Sequence, residues 1–254
     1  MFWFKGRRRK RLLETPLDEA RRAVVEHAVP LSRRLGPDHR RRFEGLVQLF
    51  LDGIGFEGCG GQVITDEVRL TVAGRASVLL VGREGDTFSK LRTVLVYPSE
   101  YLAPDLEMMS DGTVFEGLDS RLGESWTSGA VVLAWDEVLG GEAAPRSCLD
   151  VVYHEFAHQL DAENGPVDGA PYLPSAAARR QWAEVLGREY HRLGQQVEWG
   201  RPTFLDPYAA THPAEFFAVL TEYFFVRPVP LRHHHPELYH QLRICYGQDP
   251  VSAP

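Results

Sequence analysis

The chain has little cysteine. Three in 254 residues, Cys59, Cys148 and Cys245, lie far apart, are odd in number and form no CxxC pair. Neither a disulfide framework nor a cysteine zinc knuckle is expected, and a reducing compartment fits best. Long apolar runs are also missing: no stretch reaches membrane-span length, and the basic opening MFWFKGRRRKRLLETP has no signal-peptide apolar segment behind it. A cytoplasmic location is expected. Glycines crowd GIGFEGCGG (Gly53 to Gly61), but without GKS/T or a GxGxxG register this predicts a flexible turn rather than a phosphate loop. Repeats, low-complexity tracts and a dividing linker are absent as well.

What is present is an ordinary soluble composition, 44% apolar, with an uneven charge. Residues 1–42 carry 13 Lys and Arg against 5 Asp and Glu, while the whole chain has net charge −7. KGRRRKR behind Phe2, Trp3 and Phe4 could rest on nucleic acid or an acidic lipid surface. The preferred reading is a solvated, frayed tail over residues 1–16 followed by arginine-rich helix faces, with no membrane or nucleic-acid partner.

Apolar residues at helical spacing predict helices over 17–29 and 37–51, the second with Pro37 in its first turn. ASVLLVG reads as a buried helix or strand, and TVLVY predicts a strand over 93–97. A turn at Ser128-Gly129 precedes a strand from Ala130 to Trp135, which leads through a Gly/Pro loop into CLDVVYHEFAHQLDAENG. A long polar-faced helix is expected from about Ser175 to Gln196.

The last-quoted stretch carries HExxH. On a helix, His154 and His158 share a face and can aim ring nitrogens at one point. Glu155, one step around, can reach a water on the same ion, which zinc acidifies and the carboxylate deprotonates. Val151, Val152, Phe156, Ala157 and Leu160 supply a buried stripe, and Gly165 is placed to end the helix.

Catalytic zinc usually takes three protein ligands. The continuation HExxHxxGxxH fails, because Asp161 and Asn164 stand where Gly and His would be. Asp161, one turn on, and a carboxylate of PAEFFAVLTEYFF remain as candidates. Glu215 and Glu222 share a face among aromatic residues, where a bare carboxylate is costly. A cation would compensate it, so Glu215 is favoured over a pairing with Arg227 or Arg232. The three adjacent histidines 233–235 cannot all face one ion from a regular element and are read as surface residues; His191 and His212 receive no function. Tyr208, beside Pro207, reads from its surroundings as a packed loop tyrosine.

HEFAHQLDAENG, DPYAATHPAEFFAVLTEYFF, TVLVYPSEYL and GESWTSGAVVLAW together resemble the MtfA family, the Mlc titration factor peptidases, which are glutamate-type zincins. The match runs from roughly residue 90 to 230. It implies His154, His158 and Glu215 as ligands of one Zn2+ and Glu155 as general base. It further implies Tyr208 as hydroxyl donor to the tetrahedral intermediate, as in the related catalytic domain of anthrax lethal factor, which reverses the packing reading. Where many glutamate zincins place an acidic residue four after the ligand glutamate, this chain has Val219, so Glu222 or Asp161 is assigned the supporting role. The strand from Ala130 corresponds to the zincin edge strand, with Gly129, Ala130, Val131, Val132 and Leu133 forming one wall of a peptide cleft.

The expected fold is α+β and zincin-like, a single domain over 17–254 with N-terminal helices at 17–51 and a catalytic core at about 90–230. The expected function is zinc-dependent peptide hydrolysis with aminopeptidase preference. The alternative is a regulatory module that sequesters a transcriptional repressor, as the family's namesake does with Mlc.

Overall fold

The computed structural model describes residues 2–85, 87–99, 101–108, 114–121, 123–126, 129–140, 149–165 and 167–252, with side chains except at 2–5 and 101–126. The expected turn residue Ser128 and residues 141–148, which include most of the Gly/Pro loop and Cys148, lie outside the described residues.

Helices α1 (Phe2–Glu14), α2 (Glu19–Ala28) and α3 (Pro37–Gly53) come first. The basic segment expected as a frayed tail is thus helical, a correction with a local cause. Gly45 of α3 lets the backbone of Leu13 approach so closely that a Cβ there would lie 2.5 Å from the Leu13 carbonyl oxygen. Buried Glu44 then ties α3 to α2, accepting from Arg22 Nε at 2.9 Å and from Leu17 N at 2.9 Å.

The glycine-dense stretch contains a short strand, β1 (Gly55–Gly58), rather than a turn alone, because its backbone pairs in parallel with β2 (Thr93–Tyr97). Between them, ASVLLVG resolves as the end of helix α4 (Asp66–Val78), with Thr65 accepting from Val68 N at its start. This helix is buried on most of its circumference, which explains why its apolar residues show no clear stripe.

Strands β3 (Tyr101–Met108) and β4 (Val114–Arg121) form an antiparallel pair. Strands β5 (Gly123–Trp126) and β6 (Ala130–Ala134) complete a mixed sheet of order β1-β2-β6-β5, in which β5 alone runs antiparallel. The expectation of an edge strand over Ala130–Trp135 is corrected here. β6 is paired on both sides, Val131, Val132 and Leu133 are buried, and Trp135 already begins helix α5 (Trp135–Leu139). The sheet ends at β5.

The motif helix α6 (Val151–Ala162) packs against β6 and β5 on one side and α8 (Pro213–Val226) on the other. Around α8, Phe216, Phe217, Leu220 and Phe224 are almost fully buried, so this helix runs through the core and carries its glutamates with it. Helices α7 (Ala176–Glu198), α9 (Pro228–His234) and α10 (Pro236–Tyr246) complete an α+β, zincin-like fold. No helix among the described residues is long and apolar enough to cross a membrane.

Candidate metal centre

Asp150 starts α6. Its Oδ1 accepts from Val152 N at 3.0 Å and Tyr153 N at 3.1 Å, satisfying donors that a helix N-terminus leaves open. The other oxygen, Oδ2, pairs with Arg75 of α4 at 3.2 Å. Arg75 Nη1 also donates to the carbonyl of Val138 at 2.7 Å, so α4, α5 and the start of α6 are tied through one guanidinium.

Four residues on, His154 is enclosed by carboxylates. Its Nδ1 lies 2.8 Å from Glu222 Oε1, and its Nε2 lies 3.0 Å from Glu215 Oε2. Glu222 Oε2 meanwhile accepts from the backbone of Leu149 and, at 3.1 Å, of Asp150. An acceptor at Nδ1 favours the tautomer with its proton there, which leaves Nε2 as the donor atom facing His158 and Glu215. Burial alone would depress this imidazole, but Glu215 and Glu222, with a smaller contribution from Glu155, raise it to about 10. Burial likewise opposes ionisation of Glu215, and the two histidines outweigh it, holding its carboxyl well below the ordinary range.

The three atoms His154 Nε2, His158 Nε2 and a Glu215 oxygen are mutually close. The nitrogens are 3.3 Å apart, and His158 Nε2 is 3.4 Å from Glu215 Oε1. Ligands about 2.0–2.1 Å from a tetrahedral ion stand about 3.3 Å from one another. The donor set therefore fits a metal ion in both identity and spacing, and it forms a His-His-Glu group able to hold one.

Glu155 is buried beside this group. Tyr208 sits on a short 3-10 turn, Pro207–Ala210, capped by Asp206, with its ring centroid 6.2 Å from that of His154. It is 46% exposed, so the phenol borders the open side of the site rather than packing in a core. The two supporting candidates separate: Glu222 touches His154, whereas Asp161 turns to the following loop and accepts from Gly169 N at 2.6 Å. Ala130 to Leu133 lie in β6, paired on both sides, and Gly129 just before it accepts at its carbonyl from Arg92 N at 2.7 Å.

Comparison with known proteins decides the family. The model of the family "Glucose-regulated metallo-peptidase M90" matches residues 3–247. The chain belongs to this family. A Synechocystis sp. protein called "Uncharacterized protein slr2042" is 38% identical over 246 residues, covering 96% of this chain and 89% of the relative. "Mlc titration factor A" of Klebsiella pneumoniae is 31% identical over 231 residues, covering 89% and 85%. The protein of the same name in Serratia proteamaculans is 28% identical over 228 residues, covering 89% and 86%. MtfA membership thus extends over nearly the whole chain, beyond the 90–230 segment whose motifs carried the resemblance. A metallopeptidase family implies a metal ion, and the His-His-Glu group is where one fits.

Three residues that support the site went unassigned from sequence alone. Arg75 and Asp150 are one arginine and one aspartate among many until the fold joins them. His212 caps α8, its Nδ1 accepting from Ala214 N at 3.2 Å, which sets the helix start three residues before Glu215. A cap residue before Pro213 was the only available cue.

Proposed function

We propose that the chain is a zinc peptidase of the HExxH-plus-glutamate type, with His154, His158 and Glu215 as ligands. The observation that carries this reading is the convergence of two ring nitrogens 3.3 Å apart on one carboxylate, His154 Nε2 standing 3.0 Å from Glu215 Oε2 and His158 Nε2 3.4 Å from Glu215 Oε1. Zinc, when bound, acidifies a water and polarises a carbonyl. Glu155, next to His154 on the same turn, takes the proton of the attacking water and returns it to the leaving amine. Tyr208, on the exposed side, donates its hydroxyl to the oxyanion, a charge that develops only after attack. Glu222 keeps His154 in the ligating tautomer and orientation.

An extended peptide is expected to add along the outer side of β5, the strand at the sheet edge, rather than along β6. Aminopeptidase preference is carried over from the MtfA resemblance, and it calls for a peptide whose N-terminal residue alone passes beyond the metal.

The test combines metal analysis with hydrolysis. About one zinc per chain is expected, lost in His154→Ala, His158→Ala and Glu215→Ala. Glu155→Gln should keep zinc and fold while hydrolysis of aminoacyl and peptide reporters falls about 10²–10⁴-fold. A zinc-loaded wild-type protein that cleaves nothing across a broad reporter panel refutes the peptidase reading.

A second reading, sequestration of a transcriptional repressor, is favoured by the name Mlc titration factor A borne by several relatives. Repressor capture that persists in Glu155→Gln would support that role independently of hydrolysis.

A further inference from the structure

Behind α6 lies a pocket of about 210 Å³ that none of the site residues lines. Its walls are Leu46, Leu49 and Phe50 of α3, Leu80 just beyond α4, and Phe88 and Leu91 before β2. Phe50 and Phe88 lie against Phe156, with ring centroids 5.6 and 4.9 Å away. Phe156 stands midway between His154 and His158 in sequence and hence on the opposite face of the helix. The pocket is therefore separate from the metal centre, with α6 packed between them through Phe156.

Ser77, Thr87, Ser89 and Arg92 break the apolar lining, and Ser77 and Arg92 bear on what could bind. Ser77 is 1% exposed, and its hydroxyl oxygen has no hydrogen-bond partner. A buried hydroxyl without a partner is costly, so a ligand group that reaches it through a small shift of the lining gains a hydrogen bond there. At the exposed rim, Arg92 Nη1 donates to the carbonyls of Ser89 and Leu91 at 2.8 and 2.9 Å. Among the described residues, no carboxylate pairs with this guanidinium. A dry cavity of about 150 Å³ accepts one benzene ring, so the space here suits a ring with a short chain.

We propose that this pocket binds a small aromatic carboxylate. The ring packs on the leucines and on Phe50 and Phe88, a ring hydroxyl meets Ser77, and the carboxylate meets Arg92. Apolar burial supplies the affinity, while the two polar contacts set the orientation and the preference for an acid.

Titration calorimetry with para-hydroxyphenylpropanoate, and with phenylpropanoate for comparison, tests this. One molecule per chain should bind with a Kd below about 1 mM. Ser77→Ala should weaken the hydroxylated probe about fivefold and leave phenylpropanoate unchanged. Arg92→Gln should weaken both acids about tenfold, and Leu80→Trp should abolish both while far-UV dichroism stays native. Binding should survive removal of metal by chelation. Absence of saturable binding overturns the proposal and leaves a pocket for water only. Binding untouched by Ser77→Ala and Arg92→Gln, or lost on chelation, also overturns it, the latter outcome placing the acid at the metal centre.

Discussion

The two ends of α6 are secured by opposite means. At the N-terminal end, charge closes on charge: Arg75 pairs with Asp150, and Glu222 accepts from Leu149, Asp150 and His154. At the C-terminal end each contact joins a side chain to a backbone group. Ser89 N donates to Glu163 at 2.6 Å, Lys90 Nζ donates to the Ala162 carbonyl, and Asp161 holds Gly169 by one oxygen while the other has no partner. A buried charge network fails when one member is removed, because the others keep their desolvation cost without their partner. A backbone contact fails when side-chain volume is added to it. The first end should thus be sensitive to loss of charge and the second to gain of bulk.

The largest effect is expected from Glu222→Ala. It strips the acceptor from His154 and from two backbone amides, and metal affinity should fall about 10–100-fold. Stability should fall with it by about 3 kcal/mol, measured by denaturant titration of the metal-free protein. Retention of wild-type affinity would break the link between the α6 start and the site.

Arg75→Ala comes next. Its pair with Asp150 is largely sheltered, at 17% and 9% side-chain exposure, so about 3 kcal/mol of stability is expected to go, with a smaller change in metal affinity than for Glu222→Ala. A double-mutant cycle with Glu222→Ala should show coupling, since both act on Asp150.

Gly169→Ala probes the other end. Gly169 has φ +80°, and a Cβ there would stand 2.3 Å from the Pro213 carbonyl oxygen at the start of α8. Strain of about 1–3 kcal/mol is expected, along with weaker metal binding because Glu215 lies in the first turn of that helix. Unchanged metal uptake would show that α8 is positioned from elsewhere.

Asp161→Asn should have the smallest effect, within about 1 kcal/mol near neutral pH. Its signature is the pH dependence. Burial raises the Asp161 carboxyl, so the folded chain holds this proton more tightly than the unfolded chain does. The group adds stability at acid pH, and that contribution is lost as pH rises from the ordinary carboxylate range through the raised value. Asn should flatten that part of the stability profile, and an unaltered slope would place the titration in another group.

Much of the site was legible because HExxH uses short-range helix geometry, which spacing alone specifies. The helices at 17–29 and 37–51 and the strand at 93–97 were legible for the same reason. Glu215 needed one more argument, the cost of a carboxylate among aromatics. The edge strand was misread because β6 and β5 are both short strands, and only their pairing reveals which is interior. α1 was misread as frayed: its described charged side chains are exposed as expected, but the helix docks through a glycine thirty-odd residues later.

By itself, then, the sequence determined which side chains can ligate a metal, which carboxylate stands next to them, and the family. Tertiary structure alone decided that Glu222 rather than Asp161 holds His154, that Arg75 and His212 support the site, and that the sheet ends at β5. The first set depends on residues a turn apart, where chain geometry leaves little freedom. The second depends on which distant elements meet, a choice made by the burial of the whole core.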